Sequence, residues 1–319
     1  MTPGARDEGG APPWLSYGSL AISMFVVGAC VALSKPLAAV FSVFLLGWLR
    51  FGIGLVGMQH WLRRPTTESP LSSRLHLLMF LEAFIGSFLF TVFMVLGVSL
   101  SGAVAAGVVM SAIPATIAVL SRLVLREAIR PRVLAAIACA VTGIALLALV
   151  GPDESGAGQS EASGRGPWLG YVLLGGAVLC EACYAVIGKR LTAVLSSRRI
   201  SALMNLWGFV LMLPAGVYVA WSFDFRGVAG PIWGLLAFYG LASSWTIWLW
   251  MTGLRRVPAS RAGVFTVMLP VGSACVGVWM LDEPFGLSRA LAFALALAGL
   301  LLAAWPARSS QRTSRPPSL

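Results

Sequence analysis

Charge is what this sequence has least of: 11% of its 319 residues are Asp, Glu, Lys or Arg, against about a quarter in an ordinary soluble domain. With 58% hydrophobic residues and a mean hydropathy of +0.85, that scarcity excludes a water-soluble globule. Metal chemistry has little to work with. The two histidines, His60 and His76, lie near a loop, and Cys180 and Cys183 lack the second ligand pair of a zinc site, so no metal and no cofactor is expected. All five cysteines, Cys30, Cys139, Cys180, Cys183 and Cys275, fall in apolar runs, which argues against a disulfide framework and for small apolar fillers. His-Glu-x-x-His, Gly-x-Ser-x-Gly and a charged pore ring are all missing. Their absence weighs against a membrane-embedded enzyme or a channel, the alternative to a transporter. Alternating strands of about ten residues, the mark of a membrane barrel, are missing too.

What the chain has in quantity is long apolar runs. Ten are of spanning length: 15–34, 38–58, 75–97, 101–121, 131–150, 167–188, 200–221, 232–252, 259–281 and 287–306. About 20 apolar residues cross the hydrocarbon layer, and lipid leaves no water for a bare backbone, so each run is expected to be a helix. The fold class is therefore all-α integral membrane with ten transmembrane helices. The first run is too long for a signal peptide, no small-x-small cleavage site follows Lys35-Pro36, and Asp7 and Glu8 spoil a basic leader. Trp14, Trp168, Trp221, Trp233 and Trp305 stand at run ends, where an indole prefers the headgroup layer.

The net charge of +11 reads as topology and not as a nucleic-acid surface, because no basic soluble domain exists. With a cytoplasmic N-terminus, 18 of the 23 Lys and Arg fall on cytoplasmic segments. Lys35, Arg165, Arg226 and Arg289 remain outside and Arg50 lies within a run. Basic short loops stay in the cytosol, so both termini are placed inside, in a multi-pass protein of the inner (plasma) membrane.

The chain also repeats itself. AAGVVMSAIPATIAVLSRLVLREA and RAGVFTVMLPVGSACVGVWMLDEP align at a constant offset of 156: Ala106 with Ala262, Gly107 with Gly263, Pro114 with Pro270, Leu125 with Leu281, Glu127 with Glu283. GACVALSK ending at Lys35 echoes EACYAVIGK ending at Lys189. Five helices is an odd number, so the second copy enters the membrane inverted, a recurring plan of secondary transporters. The expected organisation is a cytoplasmic tail 1–14, a first repeat 15–150, a polar periplasmic linker 151–166, a second repeat 167–306, and a disordered cytoplasmic tail 307–319.

With that 5+5 repeat, the Ala-Gly starts and prolines of runs four and nine, their endings Arg126-Glu127 and Asp282-Glu283, Lys35 and Lys189, and Leu49-Arg50-Phe51, the chain resembles the EamA-type transporters of the drug/metabolite transporter superfamily. The resemblance covers roughly 12–306 and implies a translocation cavity between the halves, with the fifth and tenth helices packed as supports. It implies export of amino acids or other metabolites more often than uptake. The expected partners are a small-molecule substrate and the lipid bilayer, with no nucleic acid, in a monomer or homodimer.

Individual residues sharpen this. The glycines of Gly52-Ile53-Gly54-Leu55-Val56-Gly57 match a dinucleotide fingerprint, but inside an apolar run they read as helix-packing positions. Pro114 and Pro270 each remove a helical hydrogen bond near mid-membrane, as a static kink or a bend lining the pathway. Glu127 and Glu283 read as loop caps. Lys35 and Lys189 can snorkel, and Lys35, on the sparsely basic outer side, is a substrate-binding candidate. The mid-run charges are Arg50, Glu82 and Glu181, all some 10–12 Å beneath the cytoplasmic edge at about 1.5 Å per residue. A charge in hydrocarbon costs at least about 2.5 kcal/mol and faces a partner or a wet cavity. A packed cluster is expected, with Arg50 beside the carboxylates, as a structural ion pair or as a proton or substrate site. The repeat position of Arg50 falls near Asn205, a candidate pathway residue, and Phe84, Tyr184, Trp207, Tyr239, Trp245 and Trp248 lie close enough to these sites to line a cavity. The function expected is alternating-access transport of a small metabolite, with proton-coupled export and facilitated exchange both open.

Overall fold

A computed structural model of the chain describes residues 13–63, 72–94, 96–97, 100, 109–110, 112–129, 131–149, 168–269, 271–272, 275–276 and 287–304. Helix is the only regular structure among them. In order they are α1 (Pro13–Ala38), α2 (Val43–Met58) tightening into a 3-10 turn (Gln59–Leu62), α3 (Ser73–Ala83) widening into a π-helix (Phe84–Leu89), and α4 (Ile113–Leu120) running into a second π turn (Ser121–Leu125). Then come α5 (Pro131–Leu149), α6 (Trp168–Thr192), α7 (Ser197–Ser222), α8 (Gly230–Arg256), α9 (Ala259–Ala262) with a 3-10 segment (Gly263–Val267), and α10 (Leu287–Ala304).

Five helices among the described residues are long and apolar enough to cross a membrane: Val43–Leu62, Ser73–Met94, Trp168–Thr192, Ser197–Ser222 and Gly230–Arg256. The bundle is apolar outside, with Val56, Leu123 and Leu301 between 65% and 70% exposed, and its polar side chains Ser23, Glu82, Asn205 and Ser244 are at most 1% exposed. That inversion suits lipid as the outer solvent, and the chain is an integral membrane protein. Trp14, Trp168 and Trp221 are also turned outward at helix ends.

Three boundaries differ from expectation. α1 runs on through Pro36 to Ala38, because a proline in the last turn forfeits one intrahelical bond and leaves the rest intact. α2 consequently starts at Val43, with Ser42 Oγ accepting from the Leu45 amide, and not at 38. Pro114 does not interrupt a continuous helix. It stands in the first turn of α4, where its missing N–H would have had no partner. The ninth run, too, opens with a short α turn followed by 3-10 helix over Ala259–Val267.

The helix contacts come in twins. α1 packs on α8, and α6 packs on α3 and its π segment; α2 touches α8, and α7 touches α3 and its π segment; α4 lies on α6, and the 3-10 segment after α9 lies on α1. α2 with α7 and α5 with α10 pair directly.

Candidate functional site

Glu82 stands one residue before the end of α3, fully buried, and neither carboxyl oxygen has a hydrogen-bond partner among the described residues. Its Oε1 rests over Gly188 of α6, where a methyl group would come within 2.8 Å of it, with Met251 and Leu254 of α8 closing the same spot. Glycine is therefore what lets the carboxyl lie against the α6 backbone. Glu181, on the same stripe of α6 two turns earlier, is half-buried and close enough to Glu82 to act on it electrostatically. Tyr184 is close enough to both carboxyls for them to act on it electrostatically, and its ring sits on Gly86 of the π-helix. Cys183 neighbours Glu82, and Cys180 neighbours Glu181.

A wall of aromatic rings continues from the two acids. Phe80, Phe84 and Phe88 stack in a ladder, each pair of centroids 5.7 Å apart, and Trp207 of α7 meets Phe80 edge-on at 5.2 Å. All four are half-buried. Phe80 and Phe88 were missed in the sequence, although spacing of four on both sides of Phe84 is the pattern that marks one helical face. The π turn is what no periodicity announces.

Arg50 is not part of this cluster, contrary to expectation. Its guanidinium lies 4.2 Å above the ring of Phe51 and acts on Cys30 of α1. Equal depth places three residues in one layer, but the direction each faces around its own helix decides whether they meet. A cation–π contact takes the place of the expected ion pair.

Asn205 is fully buried and tied. It donates to the Ser201 carbonyl at 2.9 Å and accepts from Ser244 Oγ at 2.9 Å, with Met58 Sδ at 3.8 Å. Gly54 lies against this knot: a Cβ there would collide with Ser244 Oγ and Asn205 Oδ1, while Gly52 and Gly57 meet Phe209 and Leu241. The Gly-x-Gly-x-x-Gly stretch is thus the seam at which α2 meets α7 and α8. Trp245 belongs to another group, edge-on to Trp248 and tilted against Trp61 at centroid distances of 5.4 and 6.2 Å.

The turn joining α8 to α9 is held from both sides. Lys189 Nζ donates to the carbonyls of Leu254, Arg255 and Val257 at 2.7, 3.2 and 2.7 Å, capping the C-terminus of α8. Glu127 accepts from the amides of Ala259 and Ser260 at 2.9 and 3.1 Å and from Ser260 Oγ at 2.9 Å. Arg126, at φ 55°, ends the π turn in the left-handed region and sends Glu127 across to α9. Arg190 donates to the Val124 carbonyl at 3.0 Å, and Arg261 to Tyr17 Oη at 2.7 Å. Glu127 is a cap, as read from the sequence; the carbonyl grip of Lys189 replaces the snorkelling expected of it. Pro114 is buried at the head of α4. Pro270, Glu283 and the side chain of Lys35 lie outside the described residues.

Comparison with known proteins agrees with this architecture. The EamA-like transporter family matches the chain twice, over residues 14–149 and 168–305. The transporter YetK of Bacillus subtilis, itself uncharacterized, is 30% identical over 289 residues, 90% of this chain and 86% of that protein. The protein RarD of Streptomyces exfoliatus is 31% identical over 161 residues, 48% of this chain and 47% of its own. A crystal structure of a protein 19% identical to this chain shares its fold, with a TM-score of 0.72 over 90% of this chain and 96% of the other. From the double family match and the YetK relationship, this chain belongs to the EamA-like transporter family, within the drug/metabolite transporter superfamily.

Proposed function

We propose that the chain exports a small amine-bearing metabolite, an amino acid or a similar amphipathic solute, across the inner membrane by alternating access, in exchange for protons. The reading rests on ten spans in two inverted repeats, 15–150 and 167–306, joined by a periplasmic linker and with both termini cytoplasmic. The double family match and the twinned helix contacts support it, since an in-plane pseudo-axis exchanges the helices of one half with those of the other.

One observation carries the mechanism: the buried carboxyl of Glu82 beside Glu181, with no hydrogen-bond partner on Glu82 and no cationic side chain on either among the described residues. A carboxylate removed from water and from donors has to be neutralised. A proton does this in one half of the cycle and a substrate ammonium in the other. Tyr184 offers a hydroxyl near the acids, and the ring faces of Phe80, Phe84, Phe88 and Trp207 take the apolar part of the solute. Glu127 and Lys189 hold the α8–α9 turn at the cytoplasmic end of that path.

The test is efflux from proteoliposomes loaded with mixtures of amino acids and biogenic amines, with and without a proton gradient. Saturable, gradient-driven efflux of an amine is expected, lost with Glu82→Gln at unchanged protein level. Glu82→Gln and Glu181→Gln variants that both transport at full rate with an unchanged pH profile refute the carboxylate pathway.

A further inference from the structure

Away from the two acids, the basic end of the bundle holds a cavity of about 510 Å³ lined by His60, Trp61, Arg63, Ser196 and Arg198. That is within the size range of small-molecule sites. It lies where the 3-10 turn after α2 meets the start of α7, and among the described residues its lining carries two guanidiniums, an imidazole and a hydroxyl but no acid. Arg198 Cζ stands 5.8 Å from the centre of the Trp61 ring, which fixes the guanidinium over the cavity floor.

Two further features call for negative charge in this place. Ser196 is the N-cap of α7, a 26-residue helix, so the positive end of that helix dipole faces the cup. The first turn then carries Arg198 and Arg199 with no acidic residue, which opposes the usual charge preference of a helix start. Cations on the positive pole of a long helix are favourable when an anion sits among them.

The cavity also opens onto an aromatic belt. Trp61 packs against Trp248 at 5.8 Å and Trp245 at 6.2 Å, and Trp245 is 51% exposed on the flank of α8. The rings lead from the basic cup down the bundle side that lipid chains cover.

We infer that this cup binds a phosphate-bearing anion through Arg63, Arg198 and His60, and that the occupant is the headgroup of an anionic phospholipid whose acyl chains lie along Trp248 and Trp245. The proposed topology puts the cup on the cytoplasmic leaflet, where basic pockets between helices take such headgroups. The site is independent of the Glu82 pathway.

The test titrates phosphatidylglycerol into the purified full-length chain in neutral detergent and counts retained lipid by native mass spectrometry. Phosphatidylcholine and sodium phosphate are titrated in parallel. Phosphatidylglycerol is expected to be retained over phosphatidylcholine. The preference should fall about five-fold with Arg63→Gln or Arg198→Gln alone and about thirty-fold with both, and survive Arg63→Lys with Arg198→Lys. Arg74→Gln with Arg226→Gln, removing equal charge elsewhere, should leave it intact. The single variants keep the result readable if the double variant fails to fold. Sodium phosphate binding that displaces the lipid, and that the Gln variants lose, upholds the anion site with a soluble occupant. Equal retention of the two lipids by the wild type, or undiminished phosphatidylglycerol retention by the Gln variants, overturns the proposal.

Discussion

Replacing Lys189 with Met keeps the apolar stem and removes the ammonium that grips the end of α8. Of its three bonds, those to Leu254 and Val257 are partly buried and the one to Arg255 is exposed, so water replaces the last at little cost. At roughly 1.5 kcal/mol for each partly buried charge-assisted bond, the turn loses about 3 kcal/mol of local stability, on the order of a hundred-fold in its opening equilibrium. Hydrogen exchange reads this directly. The amides of Val257, Arg261 and Ala262 are bonded within the turn, to Gly253 and Pro258, and those of Ala259 and Ser260 to Glu127. Peptides spanning 254–262 should exchange about a hundred-fold faster in Lys189→Met. Glu127→Gln should give a smaller acceleration, because the amide oxygen still accepts one bond. Exchange within two-fold of wild type, in a Lys189→Met protein whose global unfolding is unchanged, refutes the claim that these charges hold the turn.

Gly54→Ala forces a methyl into the Asn205–Ser244 knot and should destabilise the protein by about 1–3 kcal/mol, whereas Gly18→Ala and Gly234→Ala, with nothing within 4 Å, should be near neutral; thermal unfolding in detergent compares the three. Arg50→Gln should leave the pH profile of transport unchanged, because the guanidinium sits over Phe51 and not beside the acids; a profile shifted as far as that of Glu82→Gln argues for direct coupling. Ser244→Ala should cost no more than about 1.7 kcal/mol, the upper end for interhelical hydrogen bonds in membranes, read as a shift in the unfolding midpoint. A reporter active only outside the cytosol, fused after residue 306, should stay silent; strong activity overturns the topology.

Class and outer dress were legible in the sequence because they depend on composition summed over long windows. Apolar runs became helices, and the glycines of 52–57 became a packing seam, since both follow from what lipid forbids. The doubled plan was visible as a repeat and reappears as two family matches. Facing was not legible. Arg50, Glu82 and Glu181 were expected in one layer, yet only the glutamates approach each other, because a run apolar on all sides carries no moment to show which way a polar residue turns. That Asn205 ties three helices together was not legible, because the tie depends on Ser244 and Gly54 from elements far along the chain. The grip of Lys189 and Glu127 on one turn was hidden for the same reason: both partners are backbone groups, which no side-chain pattern reveals.

The π-helix from Phe84 to Leu89 adds a consequence of its own. A π turn is one residue more than an α-helix needs, held as a bulge whose place along the strand of hydrogen bonds is set by small differences in packing. If the bulge steps by one position, the residue it passes rotates by about a hundred degrees while both flanks stay helical. α3 therefore contains a screw thread. Glu82 and Phe90, on either side of it, can change their relative bearing without any helix unwinding, at the cost of exchanging one carbonyl partner for its neighbour.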